Sequence, residues 1–265
     1  MGGRIRTERT ERDGALGWLI FDQPERRNAI SVEMWEQLPG AVASLADDPE
    51  VRVVAMRGAG GEAFIAGADI SQFAQQRTEE SAVARYGRLT ALGLAALAEA
   101  SRSRCSPCID GPCVGGGVVV ALTADLRYAS DDAGFRIPAA RLGLGYEVPA
   151  VGALAATVGL PAAMDLLLTA RRVDAEEAKQ IGLLHAVRPR VDLEGFVREQ
   201  AERIAGNAPL TLRALKLAAR ELRKPEAARD YRAAQLAYRA CYASEDYREG
   251  VAAFLGKRRP RFEGR

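Results

Sequence analysis

The apolar positions begin with strand-like spacing. Residues 5–9 and 15–21 read as two short strands joined by a turn at Arg12-Asp13-Gly14, a hairpin pattern. Ser31 is placed to cap a helix on which Met34, Leu38, Val42 and Leu45 recur at helical spacing. Residues 51–57 are a continuous apolar run of strand length, as expected of a buried strand, and glycines at 58–61 close it. Residues 63–65 end a further strand ahead of Gly67-Ala68-Asp69. Residues 72–80 are polar and aperiodic, which predicts a mobile loop, whereas the Leu- and Ala-rich stretch 81–103 predicts a helix. Residues 107–114 read as one strand running into Gly115-Gly116-Gly117, with an apolar helix expected from about Gly117. Short strands are expected at 125–129 and 133–137.

This alternation, to about residue 190, predicts an α/β layer fold, with the core domain expected over residues 1–195. Beyond it the strands stop. Residues 193–206, 209–221, 226–243 and 244–255 read as helices with apolar stripes, the last capped by Ser244. Residues 196–265 are therefore expected to form a separate helical region that wraps its own domain or mediates assembly.

Composition narrows the class without naming a chemistry. The chain has 265 residues, 48% hydrophobic and 27% charged, enough for a substantial core. Its 37 basic and 35 acidic residues leave a net charge of +2, so no basic field points to nucleic acid. Residues 1–6 lack the apolar stretch of a secretion signal, and no apolar run is long enough to span a bilayer, so a cytoplasmic protein with no membrane partner is expected. Cys105-Ser-Pro-Cys108 has the spacing of a redox or zinc pair. With no second such pair and only His185 as histidine, a zinc site lacks ligands, and buried small apolar residues are the simpler reading.

The stretch Gly111-Pro112-Cys113-Val114-Gly115-Gly116-Gly117 through Asp125 carries the most chemistry. Glycines between a strand and a helix allow a sharp turn and the close approach of a ligand. The first amides of such a helix lack internal partners and suit an oxyanion or a phosphate, though a tight packing turn explains the same residues. Neither the dinucleotide fingerprint nor the P-loop is matched.

Taken with Pro24-Glu25-Arg26-Arg27-Asn28-Ala29, with Phe64 through Ile70 and with residues 178–184 before the helical tail, this stretch resembles the crotonase superfamily, the enoyl-CoA hydratase/isomerase family. The resemblance covers nearly the whole chain. It implies a crotonase-like spiral of ββα units with a C-terminal helical assembly region, and trimers that pair into hexamers. It implies an enzyme acting on acyl-CoA, with the thioester as substrate and no further cofactor. The backbone amides of Ala68 and Gly116 would grip the thioester oxygen. The resemblance also places contacts to coenzyme A at Arg26, Arg27, Ala66, Ala68, Asp69, Ile70, Phe254 and Lys257.

Two departures bear on the reaction. Hydratases of this family use two glutamates, and the matching positions here are Val119 and Ala139, neither of which can carry a proton. One acid remains, Glu147, at a position where dienoyl-CoA isomerases, naphthoate synthases and 4-chlorobenzoyl-CoA dehalogenases place an Asp. It reads either as a catalytic acid or base or as an acid opening the helix that starts at Val148-Pro149. The resemblance therefore leaves isomerase-like or atypical hydratase chemistry through Glu147, or a non-catalytic acyl-CoA-binding protein that kept the amides and lost the acids. Arg26 and Arg27, like Phe254 and Lys257, read equally as ordinary charged or exposed positions. Asp69 and Asp125 also suit the fixing of turns, and Tyr86 and Tyr146 are candidates to line the acyl pocket.

Overall fold

The computed structural model describes residues 2–72, 80–99 and 104–265. The loop expected at 72–80 and the end of the helix expected at 81–103 fall largely outside them. The chain divides into two compact units, Met1–Arg198 and Glu199–Arg265.

The first unit opens with the hairpin. Strands β1 (Arg4–Glu8) and β2 (Leu16–Asp22) pair antiparallel, with Gly14 in the left-handed region at φ +55° where the chain reverses. Helix α1 (Val32–Asp47) starts on Ser31, whose hydroxyl accepts the Met34 amide as the sequence predicts. It leads to β3 (Val53–Gly58), which lies parallel to β2. Helix α2 (Glu80–Glu99) follows, then β4 (Arg104–Ile109), β5 (Pro112–Val114), α3 (Gly116–Leu122), β6 (Tyr128–Ser130) and β7 (Gly134–Arg136). Helices α4 (Val148–Val158) and α5 (Leu160–Thr169), strand β8 (Val173–Asp174), helix α6 (Ala175–Gln180), strand β9 (Ala186–Arg188) and helix α7 (Arg190–Ala205) complete the series. A six-stranded sheet runs β1-β2-β3-β4-β6-β9, and a three-stranded sheet runs β5-β7-β8.

Two expectations are corrected here. The single strand read over 107–114 is two strands in different sheets, separated by Gly111 at φ +61°. A Cβ at Gly111 would lie 2.5 Å from the Glu62 carbonyl, so the kink is sterically enforced. The strand end read over 63–65 is no ladder strand but a single bridge from Ile65 to Cys113. The first break falls at Asp110-Gly111-Pro112, a turn signal outweighed in the reading by the buried apolar residues on either side of it.

The core between the sheets and helices holds Leu19, Phe21, Met34, Trp35, Leu38, Met56, Phe64 and Ile109, all essentially inaccessible. Burying each such side chain contributes about 1.5–3 kcal/mol. The Cys113 thiol lies in this core and the Cys108 thiol is buried as well, and burial pushes both above the ordinary thiol range, whereas the side chain of Cys105, the other member of the expected pair, lies outside the described residues. His185 is structural: its Nδ1 accepts the Arg127 amide at 3.1 Å, and burial with the Arg127 charge holds its pKa below the ordinary value.

The second unit contains α8 (Pro209–Leu222), α9 (Arg232–Ala243) and α10 (Glu245–Leu255), the last capped by Ser244 as expected. The helix expected over 226–243 is shortened at its start. Only a single 3₁₀ turn forms at Glu226–Ala228, and the Asp230 carboxylate takes the Arg232 amide at 3.0 Å, which starts α9 later. Buried Asp246 accepts the amides of Glu263 and Gly264 and folds the tail back onto α10. Among the described residues no helix is long and apolar enough to cross a membrane.

Candidate functional site

The glycine turn is built from three residues with different duties. Gly115 sits at φ 50°, ψ −109°, a conformation only glycine adopts readily, and its amide is fixed to the Arg136 carbonyl at 2.8 Å. Gly117 packs so tightly that a Cβ would stand 2.5 Å from the Ile65 carbonyl. Gly116, between them, has nothing within 4 Å of where its Cβ would be. The turn is closed on one face and open on the other, and α3 starts at Gly116, one residue before the expected point.

The segment carrying Ala68 lies between two others. Ile65 bridges to Cys113 on one side, through Ile65 N–H to the Pro112 carbonyl and Val114 N–H to the Ile65 carbonyl. Ala68 bridges to Ile30 on the other, through Ile30 N–H to the Gly67 carbonyl at 2.8 Å and Asp69 N–H to the Ile30 carbonyl at 3.0 Å. In a parallel bridge of this kind the bonded groups belong to the residues flanking Ala68, so its own N–H points away from Ile30. Gly67, at φ +107°, reverses the alternation, and a Cβ on it would meet the Val114 carbonyl at 3.5 Å. Among the described residues neither the Ala68 amide nor the Gly116 amide has a hydrogen-bond acceptor. The two amides thus sit on neighbouring segments, both without a protein partner.

A polar lattice supports the Ala68 segment. The Asp69 carboxylate, 7% exposed, receives Arg26 Nη1 at 2.7 and 2.8 Å, Gln23 Nε2 at 3.1 Å and the Ser71 amide at 3.1 Å and hydroxyl at 2.6 Å. Burial raises its pKa, but the bonds from Ser71, Gln23 and Arg26 outweigh this and leave the carboxyl below its ordinary value. Arg26 also bonds the Ser71 hydroxyl. Arg27 and Asn28 both adopt left-handed backbone, at φ 50° and 58°. The Asn28 side chain, fully buried, accepts the Gln23 amide and donates to the carbonyls of Ala59 and Ala63. Sequence reasoning quoted Asn28 within a motif but gave it no role, and it missed Gln23 and Gln72. Gln72 ties the lattice to α1 by accepting the Val32 amide and donating to Glu33. Ile70 is two-thirds exposed, whereas Ala66 is half-buried with its amide on the Arg27 carbonyl.

Opposite in character is the stretch 138–147. Val119 and Ala139, the two positions at which the resemblance looks for acids, are half-buried apolar groups. The Tyr146 hydroxyl donates to the Gly115 carbonyl at 3.5 Å, and burial pushes its phenol above the ordinary tyrosine range, so it stays neutral. Glu147 stands at the N-terminal boundary of α4, yet its side chain does not cap that helix. Instead its Oε1 lies 3.4 Å from the position a Cβ on Gly87 of α2 would occupy. Among the described residues this carboxylate has no hydrogen-bond or ion-pair partner. Nearby on α2, Tyr86 accepts the Trp35 indole N–H at 3.3 Å.

Phe254 and Lys257 belong to the second unit. Phe254 is 83% exposed and, with Leu215, Tyr238, Tyr242, Val251 and Leu255, lines an apolar cavity of about 610 Å³. Lys257 turns the chain at φ 51° after α10.

Residues 11–265 match the family described as enoyl-CoA hydratase/isomerase. A peroxisomal Delta(3,5)-Delta(2,4)-dienoyl-CoA isomerase of Arabidopsis thaliana is 33% identical over 96% of this chain and 95% of its own. A carnitinyl-CoA dehydratase of Proteus mirabilis is 35% identical over 95% of this chain and 96% of its own. Among solved structures, an enoyl-CoA hydratase/carnithine racemase from Magnetospirillum magneticum superposes with a TM-score of 0.90 at 30% identity, covering 100% of this chain and 97% of that one.

Proposed function

Because the chain belongs to the enoyl-CoA hydratase/isomerase family, we propose that it is an enzyme of acyl-CoA thioesters working through an enolate held by the Ala68 and Gly116 amides and a single proton carrier, Glu147. The observation that carries this is the pairing of two amides on adjacent segments with one carboxylate, all three without a partner among the described residues. Preorganised donors of this kind stabilise the oxyanion as it forms, each by about 3–4 kcal/mol. Glu147 takes an α or γ proton from the acyl chain, the electron pair moves into the thioester carbonyl, and the same carboxyl returns the proton at the other end. The substrate's double bond moves and no water is added.

Val119 and Ala139 favour this isomerase-like course over two-carboxylate hydration, since neither activates water. The same two positions support a second reading, an acyl-CoA-binding protein without turnover. In both readings Arg27 meets the phosphates of coenzyme A, and the protein works in the cytoplasm. The second unit joins copies into trimers or hexamers, because its exposed apolar residues need cover.

Deuterium exchange separates the two readings without knowledge of the natural acyl group. The wild type in deuterated water exchanges α or γ protons of an acyl-CoA. Glu147→Gln, nearly isosteric but unable to carry the proton, still binds the thioester and loses exchange by about 10²–10⁴-fold. Binding without exchange in the wild type establishes the non-catalytic reading, and exchange surviving in Glu147→Gln removes Glu147 from the mechanism.

A further inference from the structure

We propose that Arg26 is a positioning residue for the Ala68 amide and not a ligand of coenzyme A, an inference that rests on the oxyanion reading above. The basic pair Arg26-Arg27 looks uniform in sequence, but the fold separates its members. The Arg26 guanidinium is engaged internally through Nη1, which spans both Asp69 oxygens at 2.7 and 2.8 Å and also reaches the Ser71 hydroxyl. Asp69 is 7% exposed, so a phosphate that drew Nη1 away would strip a buried carboxylate of its cation. That leaves an uncompensated buried charge, a costly state. Arg27 is exposed, its backbone is left-handed, and among the described residues its side chain has no partner, so it is the member free to meet a phosphate.

The Arg26–Asp69 contact acts on the residue next door. Asp69 N–H is the bond to Ile30 that orients Ala68 from one side, and Ile30 N–H to the Gly67 carbonyl orients it from the other. Gln23 holds the second Asp69 oxygen, and Asn28 holds the Gln23 backbone, so the loop bearing Arg26 and the loop bearing Ala68 form one hydrogen-bonded block. An amide that must meet developing charge without reorganising requires such support. Removing the Arg26 side chain frees one side of the block and loosens the angle of the Ala68 N–H.

Two measurements test this. In the first, backbone amide hydrogen exchange is followed by NMR on the unliganded wild type, Arg26→Ala and Arg26→Lys. Arg26→Ala is expected to accelerate exchange at Ile30 and Asp69 by about tenfold or more while Gly115 keeps its wild-type rate, and Arg26→Lys to recover most of the protection. Unchanged exchange at Ile30 and Asp69 overturns the proposal whether or not the protein is catalytic. In the second, kinetics of deuterium exchange are compared on an acyl-CoA and on the matching acyl-pantetheine, which lacks the phosphates. Arg26→Ala lowers kcat on both thioesters by about tenfold, less than the 10²–10³ of losing a donor outright, with KM nearly constant. Arg27→Ala raises KM for the acyl-CoA alone. A rise in KM for acyl-CoA but not acyl-pantetheine in Arg26→Ala identifies Arg26 as a phosphate ligand and overturns the proposal. A wild type inert toward both thioesters refutes the catalytic reading instead, and the first measurement then decides the role of Arg26.

Discussion

The side of the candidate site that carries the amides and the side that carries the acid are held in opposite ways. Around Ala68 and Gly116 nearly every backbone group is tied: Ile65 to Pro112 and Val114, Ala66 to Arg27, Gly67 and Asp69 to Ile30, Gly115 to Arg136. Even the one buried carboxylate there is saturated by Arg26, Gln23 and Ser71. Glu147, by contrast, is exposed and has no partner among the described residues, with its Oε1 beside Gly87 of α2. Under the proposed mechanism the difference follows from what each group would do. A donor that stabilises charge gains by being fixed beforehand. A proton carrier must reach two carbons of a substrate in turn, and a free carboxylate on a helix boundary can swing between them.

The largest structural effect expected from this contrast is at Gly117. Gly117→Ala forces a methyl against the Ile65 carbonyl, which cannot yield because it accepts the Val114 amide at 2.9 Å. Denaturant unfolding should show a loss of about 1–3 kcal/mol. Gly116→Ala, with open space around its Cβ, should stay within about 0.5 kcal/mol of wild type. Equal costs at the two positions would contradict a turn closed on one face only.

A second expectation uses pH. Asp69 has its folded pKa below the ordinary value of 3.8, so its stabilisation is complete at neutral pH. That contribution begins to fade as the pH drops toward 3.8 and is gone once the pH passes below the folded value. Asp69→Asn should flatten the acid limb of a stability–pH curve in that window and lower stability at pH 7. An unchanged acid limb would mean that the lattice around Ala68 contributes nothing to folding.

The smallest expected effect is on the acid side. Glu147→Gln should shift unfolding by no more than about 0.5 kcal/mol, since the exposed carboxylate gives up no bond. A drop well beyond that range would reveal a structural anchor and erase the contrast between the two sides.

Much of this was legible beforehand, for identifiable reasons. The hairpin, α1 with its Ser31 cap, and the buried run of β3 each rest on a local signal: turn glycine, cap hydroxyl, uninterrupted apolarity. The glycine turn was found because three adjacent glycines have few other uses. Less legible were the split of 107–114 into two sheets, although Asp110-Gly111-Pro112 interrupts that run, and the late start of α9, which follows a local turn where the Asp230 carboxylate takes the Arg232 amide. The role of Asn28 was hidden for another reason. Its acceptor and donor partners lie 5, 31 and 35 residues away, beyond any local pattern.

By itself the sequence determined the opening hairpin, α1 with its cap, β3, the glycine turn, the family, the absence of acids at Val119 and Ala139, and the survival of Glu147. These are matters of residue identity and short-range spacing, and no folding is needed to read them. Only the tertiary structure decided which face of the Gly115–Gly117 turn is open, and that Arg26 pairs with Asp69 while its neighbour Arg27 does not. It also decided that Glu147 lies against α2 in place of capping α4. Each of these depends on which distant group comes within about 3 Å of a polar atom, the distance at which a hydrogen bond forms or fails.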